Sequence, residues 1–88
     1  MSDNTIKQLE EGTLVEIHWT DPAFSLDDVD IAPMDVATVG FIVDHNPEFI
    51  RIAGEMLCDY GGDEHYRAIT AVPYSMIHGF YRIGVTHA

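Results

Sequence analysis

The segment Thr13–Thr20, with the sequence Thr-Leu-Val-Glu-Ile-His-Trp-Thr, decides the fold class of this chain. Its apolar residues Val15, Ile17 and Trp19 alternate with polar or charged residues. Because successive side chains of a β-strand point to opposite faces, one face of this segment is apolar and the other is polar. The alternation predicts a half-buried strand that contributes Trp19 to a hydrophobic core.

Four more strands are predicted downstream, from apolar and β-branched runs that end at turn residues. These runs cover residues 36–44, 49–57, 66–72 and 77–83. Gly40 interrupts the first run and indicates a bulge or a sharp bend. Val39 and Phe41 are expected to share one interior with Trp19.

The last predicted strand is apolar in both of its phases. Ile77, Tyr81 and Ile83 lie in one phase, and Phe80 lies in the other. A strand that is apolar on both sides is covered by another element or faces another subunit. The pattern is therefore consistent with a homo-oligomer that associates through this strand.

Two parts of the chain lie outside the strand pattern. Ile6 and Leu9 are spaced as on a helix, so residues 1–12 are expected to form an arm or short helix, and residues 85–88 a tail. Residues 21–35 carry two prolines, five acidic residues and no periodicity, which predicts a long loop.

The connections between the other strands are short, so neighbouring strands are expected to be antiparallel. Closure of the sheet would hide its edges, which otherwise pair with other chains. At 88 residues the chain has room for one domain. We therefore predict an all-β fold over residues 13–84, a small five-stranded antiparallel barrel.

The chain is strongly acidic, with fifteen Asp and Glu residues, four Lys and Arg residues and a net charge of −11. This charge repels phosphate backbones, so no direct nucleic-acid partner is expected. No run approaches the roughly 18 apolar residues of a membrane span, and the first residues lack the pattern of a secretory leader. The single cysteine, Cys58, excludes an intrachain disulfide and is expected to pack as a small apolar residue. A cytoplasmic protein with no membrane partner is predicted.

The sequence contains no motif that indicates catalysis or metal binding. Its five histidines are dispersed, without Cys-x-x-Cys or His-x-x-x-His spacing. The acidic residues of the long loop lack the glycine and ligand register of a calcium loop. No serine lies in a Gly-x-Ser-x-Gly motif. We therefore expect a protein that is not an enzyme, with no catalytic residue, cofactor or metal.

The order of the elements resembles that of Src-homology-3-type and Sm-like small β-barrels, with a proline-marked turn at Pro73 before the last strand. In the first of these families, aromatic residues near the long loop and the proline turn form a peptide groove. The likeness therefore implies a patch lined by Phe24 and Tyr74, while Sm-like barrels associate edge to edge. Three short stretches are also similar to uncharacterised small proteins of tailed phages and prophages, and they lie within residues 15–21, 36–43 and 72–83.

The leading hypothesis is a non-enzymatic phage or prophage accessory or regulatory protein that binds the basic patch of a partner protein through an acidic surface. The expected partner-binding residues are Phe24, Asp27, Asp28, Asp30, Asp63, Glu64 and Tyr74. An alternative is an oligomeric binder of a small ligand, such as a nucleotide signal, held by Arg51, Arg67 and Arg82. A third reading is a structural component of a virion or of its assembly.

Overall fold

The computed structural model describes residues 5–22 and 32–85. Five strands account for most of this part of the chain, which confirms the predicted all-β class. The strands are β1 (Thr13–Asp21), β2 (Met34–His45), β3 (Phe49–Cys58), β4 (Glu64–Pro73) and β5 (Ile77–Val85). Two short 3-10 helices accompany them, η1 (Ile6–Gln8) before β1 and η2 (Tyr74–Met76) between β4 and β5. Within the described ranges, no helix is long and apolar enough to cross a membrane.

The five strands form one antiparallel sheet in the order β4-β3-β2-β1-β5. β1 is thus paired on both sides, and β4 and β5 are the two edges. Among the described residues no pairing joins β4 to β5, so closure of the sheet into a barrel stays a prediction. The predicted hairpins β2–β3 and β3–β4 are both confirmed.

The alternation in β1 is confirmed by its burial. Val15 and Ile17 are completely buried and Trp19 is 8% exposed. The other buried residues of this core come from η1, β2, β3 and β4, and they include Ile42 and Ile52. The Trp19 Nε1–H donates a hydrogen bond of 2.9 Å to Thr38 Oγ1 on β2. The indole is therefore buried without leaving its polar group unpaired.

The predicted core face of β2 is wrong. Val39 is 50% exposed and Phe41 is half-buried, whereas Ile42 is completely buried. The cause is Gly40, which faces the interior opposite Val15. A Cβ there would lie 2.3 Å from Ile52 Cγ2 and 2.5 Å from the carbonyl oxygen of the next residue. Gly40 thus marks a close approach of β3, and its pairing with β1 is regular. The irregularity of β2 lies further along the strand, where its register with β3 shifts between Ile42 and Asp44.

The predicted grouping of Ile77 with Tyr81 and Ile83 on one face of β5 is also wrong, because the β1–β5 pairing contains a bulge. His18 pairs with Gly79, but Trp19 pairs with Ile77, so the register shifts by one residue. As a result Ile77 and Phe80 both pack against the core. The large hydrophobic residues that β5 leaves exposed are Tyr81 and Ile83, at 64% and 52%.

The β3–β4 hairpin extends past the core. Its ladder keeps one register from the Phe49–Pro73 pair to the Cys58–Glu64 pair and is interrupted at Gly54 and Ala68. From residue 54 to residue 71 every side chain is exposed except Met56 and Tyr66, which are half-buried. The outer part of this hairpin is therefore a two-stranded ribbon with little packing of its own.

Ala68, in β4, has a φ of 58° although it carries a Cβ. That left-handed conformation costs a residue other than glycine about 1–2 kcal/mol. We expect Ala68→Gly to raise the free energy of unfolding by about 0.5–1 kcal/mol, since relief of this strain exceeds the entropy that glycine adds to the unfolded chain. Thermal unfolding measures the effect. Ala71→Gly in the same strand is the control and should destabilise, and an equal loss in both variants would contradict the assignment of strain to Ala68.

Candidate functional site

The structure divides the predicted partner-binding residues between separate places. Asp63 and Glu64 lie at the tip of the β3–β4 hairpin, whereas Tyr74 begins η2. β4, ten residues long, separates them, a distance of about 30 Å at the usual rise of a strand. One compact surface cannot contain both. The other four predicted residues, Phe24, Asp27, Asp28 and Asp30, lie outside the described residues.

Asp59 organises the tip of the hairpin. Its Oδ1 accepts hydrogen bonds of 2.9 Å from the backbone N–H groups of Gly61 and Asp63. Its Oδ2 lies 3.1 Å from Nε2 of His65. The hydrogen bond with His65, followed by those from the backbone, lowers the pKa of the Asp59 carboxyl. The Asp59 carboxylate therefore serves the turn and not an external ligand.

The tip presents an aromatic ring among acidic side chains. Tyr60 is fully exposed, and Asp63 and Glu64 are exposed beside it. Between residues 55 and 67 the chain has four acidic residues and one arginine. That arginine, Arg67, donates from Nε to Glu55 Oε1 at 2.9 Å. The chemistry of the tip suits a protein surface that offers positive charge and a place for a ring.

Tyr74 lies in a different environment, at the start of η2. Its hydroxyl is 2.5 Å from Nδ1 of His45, and Nε2 of the same ring is 2.8 Å from the Leu9 carbonyl oxygen. A carbonyl oxygen only accepts, so Nε2 carries a proton, and in the tautomer with its single proton there Nδ1 accepts a hydrogen bond from the Tyr74 hydroxyl. Burial, followed by the charge of Asp44, raises the pKa of Tyr74. These contacts hold the Tyr74 ring in place beside η1.

A groove runs between η1 and β5, and Tyr74 lines one end of it. It consists of two cavities of about 400 Å³ and about 390 Å³ that share Thr5 and Phe80. We call it the η1–β5 groove, lined by Thr5, Ile6, Lys7, Gln8, Leu9, Tyr74, Ile77, His78, Gly79, Phe80 and Arg82. Nζ of Lys7 lies 4.7 Å from the centre of the Tyr74 ring, within the range of a cation–π contact. The groove thus combines an apolar lining with two cations.

The three arginines predicted to hold an anion are not brought together. Arg51 donates from Nε to Asp44 Oδ1 at 2.7 Å and from Nη2 to Asp44 Oδ2. This pairing raises the pKa of Arg51 and lowers that of Asp44. Arg67 is paired with Glu55. Arg82 alone of the three lies in a groove, and within the described chain it makes no ion pair.

Two residues of these sites were missed by the sequence analysis. Tyr60 had a recognisable signal, because an aromatic residue inside the turn Asp-Tyr-Gly-Gly-Asp has no core to enter. Lys7 had none, because its position beside β5 depends on the path of η1 across the sheet. Cys58 was expected to be packed, but it is exposed at the end of β3.

In the part of the chain that the structure describes, no group of three or more His, Cys, Asp or Glu side chains is placed to hold a metal ion. Comparisons with models of protein families, with curated proteins and with solved structures found no match.

Proposed function

We propose that this protein is a non-enzymatic binding module that presents the tip of its β3–β4 hairpin to a basic surface of a partner protein. The observation that carries the proposal is the ribbon beyond residue 54, whose side chains are nearly all exposed. An isolated two-stranded ribbon is marginally stable in water. The outer ribbon therefore adds little to the stability of the domain, and its exposed side chains suit contacts with another protein.

The composition of the tip supports a protein partner. A tyrosine brings a large contact area at a low cost in side-chain entropy, and tyrosines are frequent among residues that dominate binding energy. The fully exposed Tyr60 is such an anchor. Asp63 and Glu64 beside it, within a chain of net charge −11, would attract a basic surface and speed association.

Two further parts of the hypothesis rest on the sequence. Asp27, Asp28 and Asp30 are proposed as a second acidic contact, beside Phe24, and they lie outside the described residues. Membership in the accessory machinery of a phage or prophage is proposed from the three short stretches that resemble such proteins. Self-association through β5 is a third proposal, supported by the exposure of Tyr81 and Ile83.

The hairpin proposal predicts a specific loss of partner binding. A photo-crosslinking residue at position 60, in a tagged chain expressed in the native host, should capture the partner, and titration then measures its affinity. We expect Tyr60→Ala to weaken binding by about tenfold, as for a central aromatic anchor. Asp63→Asn with Glu64→Gln should slow association and reduce its dependence on salt.

The matched control for charge is Glu10→Gln with Glu11→Gln, which removes the same two charges from exposed residues that follow η1. This control should leave affinity close to that of the unmodified chain. A second comparison is the loop variant Asp27→Asn, Asp28→Asn, Asp30→Asn. If the loop variant abolishes binding while the hairpin variants retain it, the acidic loop is the contact and the hairpin assignment is wrong.

A further inference from the structure

We propose that the η1–β5 groove is a second binding site, which takes a small organic anion with an aromatic body and holds it with Lys7 and Arg82. This site is independent of the hairpin contact. Tyr74 lines the groove, and the length of β4 separates that residue from the hairpin tip. The three observations that carry the proposal are the charges, the lining and the size of the groove.

The Lys and Arg side chains that have no carboxylate partner among the described residues both line this groove. The sequence has only four Lys and Arg residues. Arg51 and Arg67 are bonded to the carboxylates of Asp44 and Glu55. The other two, Lys7 and Arg82, both line the groove, and neither forms an ion pair with a described residue. In a chain with fifteen acidic residues, two cations on one groove that lack a carboxylate partner among the described residues favour an anion from outside.

The lining of the groove selects an anion with an apolar body. Ile77 and Phe80, both half-buried, supply apolar surface, and the Tyr74 ring also lines the groove. The Tyr74 ring is held by its hydrogen bond to His45, and it already contacts the stacked His45 ring and Lys7 Nζ. A planar ligand is therefore expected to pack on Ile77 and Phe80, beside the Lys7 cation. A bare hydrated ion gains nothing from such a lining, whereas an aromatic ring gains burial and stacking.

The size of the groove is that of a small-molecule site. Its two cavities, of about 400 Å³ and about 390 Å³, share Thr5 and Phe80, and each lies within the usual range of such sites, about 300–1,000 Å³. Two carboxylates near the groove oppose the anion. Asp35 Oδ1 lies 3.7 Å from Nε2 of His78, which lines the groove. Glu10 lines an adjoining cavity of about 200 Å³ together with Arg82. Neutralising it by Glu10→Gln should therefore tighten anion binding.

The test uses 2-naphthoate and its neutral analogue 2-naphthamide, titrated into the isotope-labelled full chain and followed by NMR. The two probes share a ring system and differ in charge. We expect naphthoate to bind about tenfold more tightly than naphthamide, the effect of about one charge-assisted contact. Chemical-shift changes should be largest at the backbone amides of Lys7, Gly79 and Phe80.

The matched variants separate this site from a general effect of charge. Lys7→Gln with Arg82→Gln should abolish the preference for naphthoate. Arg51→Gln with Arg67→Gln makes the same change in net charge and should retain the preference. Equal loss in both double variants, equal binding of the two probes, shifts centred away from the groove, or no binding of naphthoate at millimolar concentration would each overturn the proposal. Asp63→Asn with Glu64→Gln should leave naphthoate affinity unchanged, so a failure of the hairpin proposal does not affect this test.

Discussion

Gly40→Ala is expected to lower the free energy of unfolding by about 3 kcal/mol, at the upper end of the cost of overfilling a packed core. The added Cβ would lie 2.5 Å from the Ala53 carbonyl oxygen, which belongs to the backbone of β3 and cannot rotate away. Relief requires β2 and β3 to separate at a point where Gly40 and Ala53 are both buried. For a domain of this length, whose total stability is on the order of 4–13 kcal/mol, that loss is large.

Gly79→Ala is the matched control for Gly40→Ala. Gly79 also lies in a strand, β5, but nothing is within 4 Å of the position of its Cβ. We expect the free energy of unfolding of the Gly79→Ala variant to lie within about 0.5 kcal/mol of that of the unmodified chain, or slightly above it. Chemical denaturation of both variants measures the difference. If the two substitutions had similar effects, the close approach of β3 to Gly40 would be disproved.

Ile42→Ala should also be strongly destabilising, by about 3 kcal/mol, because it leaves a cavity in the core. Ile42 is completely buried on β2 among Ile17, Ile52 and other core residues. The same substitution at Ile69, which is 50% exposed on β4, should cost less than about 1 kcal/mol. Urea unfolding measures both losses, and the slope of the free energy of unfolding against urea concentration should be the same in both variants.

Val39→Ala adds a direct test of which face of β2 is buried. Val39 was expected in the core from the sequence, but it is 50% exposed. Its replacement by alanine should therefore cost less than about 1 kcal/mol. A cost at Val39 greater than that at Ile42 would show that β2 has the opposite face in the core.

The sequence predicted the strands and turns correctly where a few consecutive residues all favoured the same structure. The alternation of Val15, Ile17 and Trp19 with polar residues identified β1 and its buried face. The short connections indicated antiparallel pairing, and Pro73 marked the end of β4 before the turn of η2. Each of these features depends on a few consecutive residues and on the geometry of the backbone between them.

The candidate sites were predicted less completely, because they join residues that are distant in sequence. Of the three arginines expected to bind a ligand together, Arg51 and Arg67 have carboxylate partners on neighbouring strands. Arg82 instead shares its groove with side chains of the N-terminal segment. Such partners follow from strand register, and that register cannot be derived from the spacing of charged residues in the sequence.

By itself, the sequence determined that the chain forms a mostly β domain of five strands, since the period of apolar residues and the turn residues are local properties. Only the tertiary structure decided which face of β2 is buried and where β5 shifts its phase. Both strands are apolar on two sides, so their patterns permit either orientation. The approach of β3 to Gly40 sets the buried face of β2, and the bulge opposite His18 and Trp19 sets that of β5. Close packing permits only the face whose side chains fit against the neighbouring backbone.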